Sequence, residues 1–385
     1  MGKKIFIVAG EASGDLHGAD LSRGLLTLDP DVTLLGMGGE RMRQAGVQLL
    51  VHAGDLAAVG FTEVFSRLAA LGRAFRQLRK ALAAEHPGLL ILIDFPDFNF
   101  WLARACRRMG IPIVYYISPQ VWAWRGGRIR TLKRLVEKVL VIFPFEEALY
   151  REAGVPVTFV GHPLLDRLRN VPSRAEARHR LECGASDVIV GLLPGSREGE
   201  VRHHLPVLKQ AATQITQAEP QVRFLLAMAD SLSSTVAKAL FEGVPSWIRP
   251  LYGQTYQVMR AADLLITASG TATVEAGLLG TPMIIIYQVS PLTWWAGRLL
   301  VDVPCIGMVN LVAGRRVVPE LVQQDFTPER VAQTALGLLR DPEALGKIRQ
   351  ELQRVREKLG EEGASLRAAR EVLKTLRETE AQGQR

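Results

Sequence analysis

Two carboxylates, Asp94 and Asp97, flank a proline in Asp94-Phe95-Pro96-Asp97-Phe98-Asn99, directly after the apolar run Leu89–Ile93. Pro96 holds the chain in a turn, so both can face a site beyond the strand end, where open parallel sheets bind ligands. Either suits a general base. Asp94 comes first off the strand and is the primary candidate; Asp97 can instead cap the helix starting near Phe98, and turn or cap roles for both stay open. A third carboxylate, Glu11, follows Ile5–Ala9 in Gly10-Glu11-Ala12-Ser13-Gly14-Asp15. This loop is rich in glycine but is not G-x-G-x-x-G, and a carboxylate at a helix N-terminus competes with a pyrophosphate. Glu11 and Ser13 suit a polyhydroxyl ligand; a tight turn with acidic capping residues is the ordinary alternative.

Two other loops suit an anion. Val188–Leu193 runs into Pro194-Gly195-Ser196-Arg197, a strand, tight turn and helix start. Free backbone N–H groups there would face a diphosphate, with Ser196 donating and Arg197 adding fixed charge. The Walker A pattern is absent. In Leu264–Glu275, Ser269, Gly270 and Thr271 open a helix, and Glu275, one turn in, can accept both hydroxyls of a ribose. A plain capped helix would read similarly. After Ile113–Ile117, Trp122 and Arg125 suit sugar stacking and phosphate contact, although surface helices carry such residues too.

No metal is expected. The only D-x-D, Asp29-Pro30-Asp31, follows a helix and precedes a strand, at the sheet edge opposite the ligand-binding ends. The seven histidines show no ligand spacing, and adjacent His203 and His204 would point apart on a helix. No organic cofactor is implied.

The elements that must position these residues are β-branched runs alternating with helical patterns. Ile5–Ala9, Val32–Gly36, Leu89–Ile93, Ile113–Ile117, Val139–Phe143 and Val157–Val160 form one series, and Val188–Leu193, Val222–Ala227, Leu264–Ala268 and Met283–Val289 a second. Near-continuous apolar strands between helices predict doubly wound parallel sheets covered on both faces. The 385 residues exceed one ordinary core. The polar, proline-containing stretch from Gly161 to Asp187 marks the boundary, giving a first domain over 1–165, a second over 166–345 and terminal helices over 346–385 that can pack back on the first. Thr327-Pro328-Glu329 is a helix start.

Three scattered cysteines form no disulfide framework or zinc site and indicate a reducing compartment. The first strand is too short and too soon followed by polar residues to be a signal peptide, and no run of apolar residues is long enough to span a membrane. The net charge of +8 admits anionic lipid or phosphorylated substrates, while zinc-finger spacing and interleaved aromatic and basic residues, the marks of nucleic-acid binding, are absent. Phe61, Val64, Phe65, Leu68 and Phe75 follow helical spacing beside Arg67, Arg73, Arg76, Arg79 and Lys80. This basic amphipathic pattern suits an anionic membrane surface, or equally an ordinary helix packed on a sheet.

Taken in order, Val8–Asp15, Ile93–Asn99, Ser118–Trp124, Phe159–Leu164, Leu193–Arg197 and Ala268–Glu275 resemble the lipid-A-disaccharide synthase family. The resemblance implies a GT-B fold, two Rossmann-like domains with the active site between them. The implied reaction is inverting transfer of 2,3-diacylglucosamine from UDP to the 6-hydroxyl of 2,3-diacylglucosamine 1-phosphate. It implies a cytoplasmic enzyme held peripherally on the inner membrane, and allows a homodimer. Asn310 matches a family position near the donor. The rival readings are a UDP-N-acetylglucosamine 2-epimerase and a non-catalytic peripheral lipid-binding protein.

Overall fold

The structure is a computed structural model that describes residues 3–54, 64–118, 127–229, 232, 240, 242–289 and 305–383. The chain divides into two compact units, Met1–Asp166 with Gly360–Arg385, and Arg167–Leu359.

The first unit is built on a parallel sheet of β1 (Lys4–Ala9), β2 (Thr33–Gly38), β3 (Gln48–His52), β4 (Leu89–Ile93), β5 (Ile113–Tyr116), β6 (Lys138–Val141) and β7 (Val157–Phe159). Their spatial order is β3-β2-β1-β4-β5-β6-β7. The second holds β8 (Val188–Leu193), β9 (Val222–Met228), β10 (Ile248–Tyr252), β11 (Leu264–Ala268), β12 (Met283–Tyr287) and β13 (Glu320–Val322), in the order β10-β9-β8-β11-β12-β13. Both are the doubly wound arrangement, with strand order reversing beside the first strand. The central strands β4, β5 and β11 are buried along their whole length, which is why they read as unbroken apolar runs.

The helices that matter below are α1 (Ala12–Leu28), α2 (Glu40–Gln44), α3 (Val64–Glu85), α4 (Pro96–Arg108), α5 (Gly127–Leu135), α6 (Glu198–Ala218), α7 (Thr255–Ala261), α8 (Thr271–Leu278), α9 (Met308–Ala313), α10 (Pro328–Leu339), α11 (Pro342–Lys358) and α12 (Ala364–Gly383). Thr327 caps α10 with Pro328 at its first position, the Thr327 hydroxyl accepting from Arg330 N. Helix α11 belongs to the second unit and α12 to the first. The apolar face of α12 packs on α1 so closely that a Cβ at Gly24 would sit 3.1 Å from Ala369 Cβ. Arg367 Nε donates to Val160 O at 2.9 Å, and Lys138 pairs with Glu371 at 2.8 Å.

Helix α3 lays Ala70, Ala74, Leu78 and Leu82 on the sheet and leaves Arg73, Arg76, Arg79 and Lys80 exposed. Phe75, expected on a lipid-facing stripe, is half-buried and meets Phe98 of α4 edge-on, with ring centroids 6.2 Å apart. Its place one position past Ala74 turns it toward α4 and the core. Phe61 lies outside the described residues, and so do the side chains of Val64, Phe65 and Leu68. Among the described residues no helix is long and apolar enough to cross a membrane.

Candidate active site

In the first unit the strand order reverses between β1 and β4. Ala9 pairs with Ile93, so the loops carrying Glu11 and Asp94 leave the sheet side by side. Asp94 and Phe95 both take left-handed backbone, φ 45° and 51°, and Pro96 then starts α4. Two consecutive non-glycine residues there cost about 1–2 kcal/mol each, so the surroundings must fix the turn. The Asp94 carbonyl accepts from Asn99 Nδ2 at 2.6 Å and from Tyr115 Oη at 2.7 Å. Phe95 lies over Gly10, where any side chain would overlap its ring.

Burial, and then the neighbouring Glu11 carboxylate, push the Asp94 carboxyl up to about 6. Few carboxylates are that basic, and the value suits a base working near neutral pH. Asp97 differs. It is exposed on the first turn of α4 and pairs with Arg128 at 3.1 Å. Glu11 occupies the position just before α1 without capping it, exposed beside Ser13. The capping acid of this loop is Asp15, and it caps a different helix. Buried, it accepts from Gly39 N at 2.6 Å, Met42 N at 3.0 Å and Arg41 N at 3.2 Å at the start of α2. That fixes the glycine-rich loop against the β2 end. Trp122 and Arg125 lie outside the described residues. Asp29, just beyond α1, accepts from Lys3 Nζ at 2.8 Å.

In the second unit the order reverses between β8 and β11, and Leu193 pairs with Thr267. The two anion-suited loops thus emerge together and line one cleft of about 360 Å³ with Gly195, Ser196, Arg197, Ser269, Gly270, Thr271 and Glu275 in its wall. Thr271 begins α8, and Gly270, Thr271 and Ala272 at its N-terminus line the cleft, where a helix start suits an anion. The Ser269 hydroxyl donates to Ile306 O at 2.9 Å, so it anchors the next loop. Glu275 is largely buried, its carboxyl raised by burial, and Oε1 accepts from Tyr256 Oη of α7 at 2.9 Å.

One expectation fails here. The N–H groups of Ser196 and Arg197 are not open to an anion, because Glu200 reaches back from the first turn of α6 and its Oε2 accepts from both, at 3.1 and 3.4 Å. This is one arm of a capping box, the carboxylate of the first turn reaching back to the N–H of the residue before the helix; Arg197 has no acceptor to supply the other arm. What Arg197 offers the cleft is its guanidinium, 81% exposed. The turn is braced from behind by His204, on the buried stripe Val201–Leu205–Leu208 of α6. Its Nε2 accepts from Gln288 N at 3.2 Å, which leaves the proton on Nδ1 to donate to Pro194 O at 2.7 Å. Burial lowers its pKa, so the bridge stays neutral. A histidine on the apolar stripe of α6 was the available sign; its exposed neighbour His203 obscured it.

Asn310, expected beside the donor, is fully buried in α9. Its Oδ1 accepts from Val317 N at 2.8 Å and Val318 N at 3.1 Å, and its Nδ2 donates to Val318 O at 3.0 Å and Glu320 Oε1 at 2.8 Å. With all four capacities used, it folds the 305–320 segment rather than touching a ligand. Glu320 in turn accepts from Ile306 N and Gly307 N, at 3.0 and 2.9 Å, and so sets the loop that Ser269 holds. Asn310→Ala should cost about 2–4 kcal/mol, since buried groups lose their partners. Urea denaturation followed by circular dichroism should show it; an unchanged midpoint would return Asn310 to the ligand.

A family model described as lipid-A-disaccharide synthetase matches residues 5–374. The chain belongs to the lipid-A-disaccharide synthase family. It is 48% identical over 373 residues to lipid-A-disaccharide synthase of Geobacter sulfurreducens, with 97% of each chain covered. Among solved structures, Acinetobacter baumannii MurG matches with a TM-score of 0.60 at 14% identity, over 97% of this chain and 99% of that one. Staphylococcus aureus MnaA, solved with UDP, matches with a TM-score of 0.65 at 12% identity over 94% of each chain. At such identities the likeness is one of fold. The lipid-A-disaccharide synthase family is a family of glycosyltransferases, and this chain is an enzyme of that class with the two Rossmann-like units of a GT-B fold.

Proposed function

We propose that the enzyme transfers 2,3-diacylglucosamine from UDP to the 6-hydroxyl of 2,3-diacylglucosamine 1-phosphate, with inversion. The observation that carries this reading is the convergence of Arg197, the α8 N-terminus and Glu275 on one cleft, which suits a nucleoside diphosphate. Glu275 would take the ribose hydroxyls on the carboxylate that Tyr256 orients. The α8 N-terminus and Arg197 would take the diphosphate.

The α-linked donor and β-linked product call for one in-line displacement. Asp94 accepts the proton of the acceptor hydroxyl as its oxygen bonds to the donor C1. The bond from C1 to the diphosphate oxygen breaks, and UDP departs with the electron pair. Charge developing on that leaving oxygen is met by Arg197 and by the α8 N–H groups. Glu11 and Ser13 orient sugar hydroxyls, and the Glu11 charge keeps Asp94 basic. No metal is assigned a part.

We place the enzyme on the inner face of the inner membrane. The reading is supported by the outward basic row of α3, by Trp101 of α4, which is 53% exposed, and by Arg104 and Arg108 beside it. Anionic lipid attracts such residues by about 1 kcal/mol each near the surface.

Release of UDP from the diacylated donor tests the proposal. It should require the acceptor and persist in EDTA. Acceptor-independent UDP release, or loss of activity in EDTA restored by a divalent cation, would oppose it. Glu275→Gln keeps the size of the side chain and an acceptor for Tyr256 but loses the charge. UDP affinity by calorimetry should fall about tenfold, the equivalent of 1.4 kcal/mol for a charge-assisted bond.

A further inference from the structure

We infer that Asn99 and Tyr115 are positioning residues for the base: they clamp the Asp94 carbonyl and thereby hold the left-handed turn that aims its carboxyl. The inference rests on the reading of Asp94 as the base. Both lone pairs of that carbonyl are used, by Asn99 Nδ2 at 2.6 Å and Tyr115 Oη at 2.7 Å. Asn99 Nδ2 also lies 3.3 Å from Ile93 O, so one amide spans the last strand residue and the first turn residue. The two donors come from different elements. Asn99 is on the first turn of α4, where its own N–H bonds Phe95 O at 3.1 Å; Tyr115 is on β5, whose Leu92↔Tyr115 pairing sets its ring beside β4.

Both side chains are fully buried. The core has no need of a polar pair at this point, and a phenylalanine in place of Tyr115 would fill the same space, its ring facing Phe100 at 6.4 Å. What the hydroxyl and amide do is fix a carbonyl that a relaxed turn would point elsewhere. The αL pair at Asp94 and Phe95 has no glycine to ease it. Without the clamp the turn can relax toward ordinary backbone, which carries the Asp94 carboxyl away from Glu11 and toward water.

The test is Tyr115→Phe, measured beside Asp94→Asn and the double variant. Tyr115→Phe should lower kcat about tenfold, since small misplacements of reacting groups carry losses of that order. KM for both substrates should stay within about twofold, as no binding group is touched. The acid limb of the kcat profile should move to lower pH as Asp94 becomes better solvated. In the Asp94→Asn background the same substitution should cause no further loss. Asn99→Ser reads the other arm of the clamp and serves if Tyr115→Phe does not fold. A folded Tyr115→Phe enzyme with unchanged kcat and acid limb, while Asp94→Asn is dead, overturns the clamp alone. An equal loss from Tyr115→Phe in both backgrounds makes it a general packing effect and also overturns it. Near-normal turnover by Asp94→Asn removes the base reading beneath it.

Discussion

Asp94→Asn will lower kcat by about a thousandfold, within the range for loss of a general base, with little change in either KM. The amide fits the same space, and the turn stays in place because its fixed points are backbone: Asn99 and Tyr115 bond the carbonyl, not the carboxyl. Asp97→Asn, by contrast, loses only an exposed pair with Arg128 and should change turnover less than about threefold. That contrast separates the two carboxylates of the Asp94–Asn99 motif. The pH dependence follows from the raised carboxyl. A base with pKa about 6 is protonated, and idle, in acid, so kcat should rise through pH 6 and level off above it. Stability runs the other way. Between the unfolded value of 3.8 and about 6 the folded state keeps a proton that the unfolded chain has released, so this group favours the fold less as pH rises through that window. Above it the ionised, desolvated carboxylate stays a liability, and Asp94→Asn should raise the melting temperature at pH 8. A variant that is inactive yet more stable would have the signature of a functional group kept at a cost to the fold; one that is inactive and less stable would point to a structural aspartate.

Arg197→Ala should lower kcat by about a hundredfold or more, as loss of a donor aimed at developing charge does. The local fold should survive. The cap is made by backbone N–H groups donating to Glu200, and His204 holds Pro194 from behind, so the turn does not depend on the Arg197 side chain. The guanidinium is exposed to the cleft and contacts Glu200 only at 3.5 Å. The loss should fall on kcat more than on the donor KM, because the leaving oxygen gains charge only as the bond breaks. Arg197→Lys, which keeps the charge but not the forked geometry, should recover part of it. A loss confined to KM would make Arg197 a ground-state phosphate ligand and put transition-state stabilisation on the α8 N-terminus.

Legibility in the sequence follows burial. The strands covered on both faces, such as β1, β4, β8 and β11, announce themselves as apolar runs and carry the loops at the switch points. Three strands escape such reading: β3, β10 and β13. All are edge strands. β10 reads Ile248-Arg249-Pro250-Leu251-Tyr252, with three of its five residues exposed and a proline that a central strand would not tolerate. Residue types at the switch points were readable, since glycine, acid and hydroxyl cluster where backbone leaves a sheet. Side-chain reach was not. Nothing local marks Glu200 as the acceptor for Ser196 and Arg197, or Asp15 as the cap of α2, which starts 25 positions on at Glu40. Asn310 reads as a ligand only through the family resemblance, which carries a position and not its partners; the fold gives it four internal hydrogen bonds instead. The apolar stripe of α3 shows why periodicity alone does not choose between lipid and core. Leu78 and Leu82 are fully buried on the sheet, while Arg73, Arg76, Arg79 and Lys80 look outward.

The most direct measurement is to incubate the purified enzyme with the α-linked UDP-2,3-diacylglucosamine and 2,3-diacylglucosamine 1-phosphate in detergent micelles, then identify the product by mass spectrometry and the new linkage by NMR. The expected product is a tetra-acylated disaccharide phosphate joined β-1,6, with one UDP released per linkage. An α linkage, or hydrolysed or epimerised donor with no disaccharide, would contradict it.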